Sequence, residues 1–378
     1  MRQADALLTW FDRHQRELPW RQTRDPYRIW LSEVMLQQTR VETVLPYYHR
    51  FLEKFPTVDD LARADVDEVL ALWSGLGYYR RARQLHEAAR QAVARGGMPR
   101  TEEELRDLPG IGAYTAAAVA SIAFGVPSPV LDGNVERVLS RWLALGLDPK
   151  SREARERMLT AAADLLDPRR PGDSNQALME LGATVCAPRR PRCLLCPLAS
   201  GCRAALAGDP ERFPVARAKR VRERHRLAVA VSLREDGVLL FRRPEESTLL
   251  AGTWELPWTR LETEPSAGLQ EGLAERYGGR WALGPRLGGV RHTITYRDLE
   301  VEIHQADLIA PPREQGTWGW FGEGERSNLP LSSLVEKVLR EVALFPRGGD
   351  GLAPGGDQEG GAAVTRPRPA RSLARRRG

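Results

Sequence analysis

The sequence predicts a multidomain protein, an all-α domain reaching to about residue 207 followed by a smaller α/β domain over residues 227–345. Three observations predict it. The chain has 378 residues, enough for two separate cores. Apolar residues recur at helical spacing in segments such as 151–166 and 175–185. From Leu227 onward the period becomes that of strands. Apolar residues make up 42% of the chain, which excludes a disordered polymer. The longest apolar stretch, residues 116–124, falls far short of the ~20 residues that cross a bilayer. The first eleven residues show no basic segment leading into an apolar run, so no secretory signal is expected. A cytoplasmic location without membrane attachment follows as the expectation.

In the first domain, Asp25-Pro26 marks a helix start, a cap residue followed by proline in the first turn. Tyr27, Trp30, Leu31 and Val34 form the apolar stripe of that helix. Glu33 lies at the edge of the stripe, with Gln37 four residues on. A carboxylate bordering an apolar face is partly desolvated, which raises its pKa and suits a general acid. Further on, Leu108-Pro109-Gly110-Ile111-Gly112-Ala113-Tyr114-Thr115-Ala116 is a helix-breaking turn opening into a helix of small residues. Gly110 and Gly112 let the backbone bend closely and turn its N–H groups outward. The helix N-terminus behind them adds positive dipole, so the turn can hold a phosphate without side-chain charge. Taken alone, the same residues also suit an ordinary helix–helix turn. Asp132, in Val130-Leu131-Asp132-Gly133-Asn134-Val135, follows the breaker Pro127-Ser128-Pro129. On sequence grounds alone it reads more readily as a cap for the helix running from Val135 than as a catalytic group.

All four cysteines, Cys186, Cys193, Cys196 and Cys202, fall within seventeen residues as C-x6-C-x2-C-x5-C. A reducing compartment argues against disulfides. Four thiolates at short spacing make a soft metal site, and composition alone leaves zinc and an iron–sulfur cluster both open. Arg189, Arg190 and Arg192 in the loop between the first two cysteines are candidates to face phosphates.

Residues 212–226 hold seven Lys or Arg against one Glu, with Pro210 and Pro214 nearby, and residues 208–226 read as a basic linker. Beyond it, residues 227–233 and 238–241 flank Asp236-Gly237, a hairpin signal. Residues 290–296 and 299–308 repeat the pattern around Arg297-Asp298. A helical segment, residues 267–277, lies between them. Residues 346–378 are rich in glycine, proline and arginine and read as a disordered basic tail. The net charge of +6 rests on that tail: residues 365–378 hold six arginines and no acid. The folded body is therefore about neutral, and affinity for DNA has to come from local patches.

These motifs, taken in order, resemble the MutY-type glycosylases of the endonuclease III, helix–hairpin–helix superfamily. The resemblance rests on Leu18-Pro19-Trp20-Arg21, the Glu33 segment, Gly75-Leu76-Gly77-Tyr78-Tyr79, the glycine turn, the Asp132 segment and the cysteine spacing. It spans nearly all of residues 1–206. It implies a base-excision-repair enzyme acting as a monomer on double-stranded DNA, removing adenine mispaired with 8-oxoguanine or guanine. It also implies a 4Fe–4S cluster held by the four cysteines. By the same resemblance Glu33 protonates the departing adenine at N7, and Asp132 stabilises the positively charged sugar, either as a counter-ion or through a transient covalent bond, a division of labour like that of glycoside hydrolysis. Asn134 orients water and Asp132. Trp20 and Arg21 line the adenine pocket, while Gln38 and Tyr78 wedge into the duplex around the lesion pair. The target base has to leave the stack to reach either carboxyl. Endonuclease III-like enzymes carry a lysine where this chain has Tyr114. A phenol cannot form a Schiff base, so a monofunctional glycosylase is expected.

Residues 227–345 resemble the Nudix-like domain of the same family, most clearly at Ala251-Gly252-Thr253-Trp254-Glu255-Leu256-Pro257. An active Nudix helix needs several carboxylates for a hard cation. Here, in Glu271-Gly272-Leu273-Ala274-Glu275-Arg276-Tyr277-Gly278, only Glu275 of that set remains, so lesion recognition rather than hydrolysis is implied. The family's Phe-Ser-His loop is replaced by Ile294-Thr295-Tyr296. Thr295 keeps a hydroxyl for the oxidised base and Ile294 keeps an apolar wedge. The same three residues also suit the middle of a strand. Two other readings are weaker. A glycosylase for damaged pyrimidines is disfavoured by the second domain, and a non-catalytic iron–sulfur DNA-binding protein by the retention of both Glu33 and Asp132.

Overall fold

The computed structural model describes residues 2–343 except 217–220, 235–236, 245, 248, 262–267, 313–317 and 327–328. The tail read from residue 346 therefore lies outside the described residues. The first domain runs through α1 (Gln3–His14), α2 (Pro26–Leu36), α3 (Val41–Lys54), α4 (Val58–Arg63), α5 (Val66–Trp73) and α6 (Arg80–Ala94). It continues through α7 (Glu102–Arg106), α8 (Ala113–Phe124), α9 (Gly133–Trp142), α10 (Arg152–Asp164), α11 (Pro171–Thr184) and α12 (Arg203–Leu206). One apolar core joins them.

Caps fix where the helices begin. Asp25 Oδ1 accepts from the backbone N–H of Tyr27 (2.8 Å) and Arg28 (3.1 Å), with Pro26 in the first turn of α2, as the sequence predicts. α8 is buried from Thr115 through Ile122 and carries mostly small side chains, so α2 and α11 both pack against it. The approach of α11 depends on missing side chains. A Cβ at Gly172 would lie 2.7 Å from Ile122 Cα, and one at Gly182 would lie 2.6 Å from Asn134 Cβ.

The second domain contains β1 (Glu223–Val231), β2 (Leu233–Arg234), β3 (Gly237–Arg242), β4 (Trp254–Glu255) and β5 (Trp258–Arg260). There follow α13 (Leu269–Tyr277), β6 (Arg280–Ile294), β7 (Arg297–Ala310), β8 (Trp318–Phe321), α14 (Glu323–Arg326) and α15 (Ser333–Ala343). One sheet has the order β5-β1-β7-β6, with β1 and β7 parallel; in the other, β3 pairs with β2, β4 and β8. Alternation along β1 sends Leu227, Val229 and Val231 into one core with α15, and Ala228 and Ala230 into another with α13.

Three expectations are corrected. Residues 227–233 are not one arm of a hairpin: β1 joins the first sheet, and only β2 pairs with β3 (Leu233↔Val238, Arg234↔Gly237). The chain changes sheets at Ser232, which is buried. Asp236 of that expected turn lies outside the described residues. The second hairpin turns at Thr295-Tyr296 rather than Arg297-Asp298, because Ile294 pairs with Arg297 and Thr295 takes the left-handed backbone at φ 56°. Strand β1 begins at Glu223, inside the stretch read as linker.

The domains touch through the Gly75–Tyr79 loop region. Ser74 Oγ donates to the Leu331 carbonyl at 3.2 Å, and the Tyr79 hydroxyl donates to the same oxygen. Arg242 pairs with Asp67 at 2.9 Å.

Arg81, buried on α6, ties this loop to α2. Its Nη1 donates to the carbonyls of Val34 (2.8 Å), Met35 (3.0 Å) and Gln37 (2.7 Å), and its Nη2 to those of Leu76 (3.3 Å) and Gly77 (3.0 Å). Burial lowers its pKa to about 10, which leaves it charged at neutral pH. A cation suits the C-terminal end of α2, where carbonyls lack helical partners. Arg81→Met should cost on the order of 3 kcal/mol and lower the melting temperature by roughly 6–12 °C, since several buried carbonyls lose a charged donor. A variant melting within a degree of the wild type would reject this role.

Candidate active site

The sequence-predicted catalytic residues converge. Trp20, Arg21, Glu33, Gln38, Tyr114, Asp132 and Asn134 line one cavity of about 800 Å³, between α2, α8, α11 and the N-terminus of α9. Trp20 is buried edge-on against Tyr48.

Glu33 is 6% exposed, deeper than the stripe-edge position implied. Burial pushes its carboxyl up to about 7, reinforced by Asp132 and opposed by Tyr114 and Arg21. The Tyr114 hydroxyl donates to Glu33 Oε2 at 2.6 Å and also contacts Met179 Sδ at 3.3 Å. Burial, and then the Glu33 carboxylate, hold the Tyr114 phenol far above its ordinary range.

Asp132 is the N-cap of α9, with Oδ1 accepting from Val135 N at 2.7 Å. The capping and catalytic readings are therefore compatible, since the cap fixes one oxygen and leaves the half-buried carboxyl on the cavity wall. Asn134 Nδ2 donates to Oδ2 at 3.3 Å, and Arg137 holds Asn134 Oδ1 at 2.9 Å. Burial raises the Asp132 pKa, against the stabilising bonds from Val135 and Asn134.

Sequence reasoning missed the contribution of α11, which lines the cavity with Gln176, Met179 and Glu180. Glu180 is fully buried and paired with two arginines: Arg16 at 2.8 and 2.9 Å, and Arg21 at 2.7 Å. Arg21 is thus held by Glu180, and also by the Arg16 carbonyl at 3.1 Å. The cavity also has a lysine in its wall. Lys150 is clamped by both oxygens of Glu136 at 2.6 and 2.7 Å, which ties its amine to that carboxylate.

Gln38 stands at the exposed edge of the cavity, and the remaining predicted residues lie outside it. Gln38 (φ 57°) and Tyr78 (φ 52°) are exposed in left-handed backbone on two loops that the Arg81 guanidinium holds together. Gly110, at φ 77°, lies in the turn before α8, where a Cβ would meet Gln84 Cβ at 2.7 Å; Gly112 caps α8. Thr295 is exposed at the β6–β7 turn, its hydroxyl donating to the Ile294 carbonyl at 2.7 Å. Ile294 packs against the second-domain core rather than projecting as a wedge.

Cys186, Cys193, Cys196 and Cys202 line a separate cavity beside Val138, Arg141 and Leu198. Burial pushes the Cys196 thiol up to about 12 and raises that of Cys202, so bare thiolates are disfavoured and a metal's charge is needed to hold them. Arg141 surrounds the site, donating to Cys186 Sγ (3.3 Å) and to the carbonyls of Ala187 (2.7 Å) and Pro188 (2.9 Å). Among the described residues, no three His, Cys, Asp or Glu side chains are placed to hold a single metal ion. Four thiol donors lining one cavity fit a thiolate-held metal centre.

In the second domain Arg276 stacks over Trp258 at 3.9 Å and lies 3.7 Å from Glu255, while Glu275 is exposed. The exposed Arg276 guanidinium thus stands beside the buried Glu255 carboxyl. Among the described residues, no helix is long and apolar enough to cross a membrane.

Residues 31–163 match the HhH-GPD superfamily base excision DNA repair proteins, and residues 228–341 match the NUDIX domain. The chain is 39% identical to the adenine DNA glycosylase of Homo sapiens, covering 89% of this chain and 73% of that protein. Against the adenine DNA glycosylase of Mus musculus it is 40% identical, covering 88% and 76%. The solved structure of a thermostable thymine-DNA glycosylase is similar at 32% identity with a TM-score of 0.50, over 54% of this chain and 95% of that one. Identity of this extent to the human and mouse enzymes, running through both domains, places the chain in the family of adenine DNA glycosylases of base-excision repair.

Proposed function

We propose that this glycosylase removes adenine standing opposite 8-oxoguanine or guanine in duplex DNA, as a monomer and by hydrolysis alone. Glu33 is the acid and Asp132 the counter-ion. One observation carries this reading: two carboxyls share a cavity and receive different hydrogen-bond partners. Glu33 is buried with a phenol as its hydrogen-bond donor, while Asp132 receives a backbone N–H and an amide. That difference supports Glu33 as the acid and Asp132, whose carboxylate form is bonded by two N–H donors, as the charge-stabilising group. Glu33 gives its proton to N7 of the extruded adenine, and the bond from N9 to the sugar breaks. Asp132, held by Val135 and Asn134, stabilises the sugar cation until water adds. Tyr114 orients Glu33, and neither its phenol nor the clamped Lys150 supplies an amine for strand cleavage. Trp20 and Arg21 wall the base, Gln38 and Tyr78 enter the duplex, and Gly110 and Gly112 seat a phosphate.

A 4Fe–4S cluster on Cys186, Cys193, Cys196 and Cys202 supplies structural cross-linking of the loop that carries Arg189, Arg190 and Arg192. Lesion preference rests on Thr295. Its hydroxyl proton is committed to Ile294, so its oxygen accepts, and N7 of 8-oxoguanine carries a hydrogen that N7 of guanine lacks.

Three outcomes are expected. Single-turnover excision should fall as pH rises through about 7, and Glu33→Gln should lower it by about 10²–10⁴-fold at its optimum. Loss of less than tenfold would reject Glu33 as the acid. Because folding raises this carboxyl's pKa from 4.5, its stabilising contribution is complete below pH 4.5 and is lost as pH climbs through about 7. Glu33→Gln should therefore raise the melting temperature at pH 8 but not at pH 4, an effect worth on the order of 3 kcal/mol.

The purified protein should be yellow-brown, absorb broadly near ~400 nm and contain about four irons per chain. A colourless protein with zinc would overturn the cluster. Thr295→Ala should reduce the preference for 8-oxoguanine over guanine by roughly 2–12-fold, the worth of one hydrogen bond, while leaving excision from A·G near wild type. An unchanged ratio of the two excision rates would move lesion reading to other residues.

A further inference from the structure

The buried ion group behind the adenine pocket goes beyond the roles assigned so far. Glu180 stands on α11 with no exposure, and both its oxygens are taken up by Arg16 and Arg21. Arg16 and Arg21 bring two positive charges to the wall of the cavity that holds Glu33, and Glu180 returns one negative charge. Arg21 is fixed further by its bond to the Arg16 carbonyl and by its place over the Phe11 ring at 5.4 Å.

We propose that Glu180 is a positioning residue for the acid: its carboxylate holds Arg21 and offsets the charge of Arg16 and Arg21, so that Glu33 meets the adenine still carrying its proton. The inference rests on the reading of Glu33 as the acid. The groups facing Glu33 come from every element around it: Tyr114 from α8, Asp132 from the start of α9, and Arg21 from the turn before α2. Tyr114 is a fixed donor and Asp132 favours the protonated form, which leaves Arg21 as the cation that pulls the proton away. Toward the mouth stand Arg40 and Glu42, and the Glu136–Lys150–Arg155 group, where acid and base offset each other locally. Glu180 is the carboxylate that tempers Arg21 directly.

Opposite substitutions should move the pH profile in opposite directions. In the full-length holoprotein at saturating enzyme, Glu180→Gln leaves two uncompensated guanidinium groups. Its alkaline limb of single-turnover excision should fall by about one pH unit. Arg21→Met removes the nearer cation and keeps Glu180 paired with Arg16, so its limb should rise by a similar amount. Glu180→Asp retains the charge and should keep the limb near wild type even where the rate is lower. Burying an unpaired arginine is destabilising, so if Glu180→Gln does not fold, the upward shift in Arg21→Met and the unmoved limb in Glu180→Asp decide the matter. Limbs that stay in place, or all move the same way, while rates drop at every pH would overturn the inference and leave Glu180 as scaffold. Glu33→Gln separates the two readings: if it is inactive and the limbs do not move, only the role of Glu180 fails. If Glu33→Gln still excises, the acid assignment itself fails.

Discussion

A carboxyl group kept out of water is the constraint around which the first domain is arranged. Burying Glu33 disfavours its charged form, and what surrounds it decides how far. Water would return the carboxyl to its ordinary range, so α2, α8 and α11 must close around it. They do so because α8 presents small residues and α11 presents glycine at Gly172 and Gly182. A methyl group at Gly182 would collide with Asn134, the residue that holds Asp132. The same close packing thus sets the surroundings of both carboxyls.

The two carboxyls differ in the bonds they receive. Asp132 sits at a helix N-terminus, where unpaired N–H groups and the helix dipole favour a negative charge. Glu33 projects from the last part of α2 and is offered a single phenolic O–H, from Tyr114. Position on a helix, rather than residue type, separates their chemistry. Arg81 contributes at one remove. By capping the C-terminal carbonyls of α2 it fixes the end of the helix that carries Glu33, and with the same guanidinium it holds the loop that carries Tyr78.

Much of this was legible in the sequence because caps and breakers are local. Asp25-Pro26 announces α2, and Asp132 marks α9. What local chemistry could not announce is which side of α11 meets the site, since the helix is buried on nearly every side from Pro171 to Gly182. A helix buried all round has no polar stripe to show which residues face the site, so Gln176, Met179 and Glu180 went unread. Glu180 looked like one more acid in a charged chain. Its significance comes from Arg16 and Arg21, more than 150 positions earlier in the sequence. The second domain misled in another way. Arg297-Asp298 carries a turn signal, yet a register fixed by β6 and β7 puts the turn at Thr295-Tyr296, where threonine adopts a backbone it rarely takes.

That displaced turn changes what the second domain can offer. With Ile294 drawn into the core and Thr295 at the tip, the exposed element is a hydroxyl rather than an apolar wedge. A single neutral hydrogen bond discriminates modestly, so the reading proposed for Thr295 also requires that its hydroxyl be held in a fixed orientation. The structure provides a fixed point for that. Ser74 and Tyr79 both end on the Leu331 carbonyl, and Tyr79 adjoins Tyr78. Arg276 lies over Trp258 and beside Glu255, where its charge would oppose a bound cation. Hydrogen bonds thus join the second domain to the first-domain loop that carries Tyr78. The exposed Thr295 hydroxyl and the buried Glu33 carboxyl stand in different domains, so a substitution at Thr295-Tyr296 leaves the immediate surroundings of Glu33 unchanged.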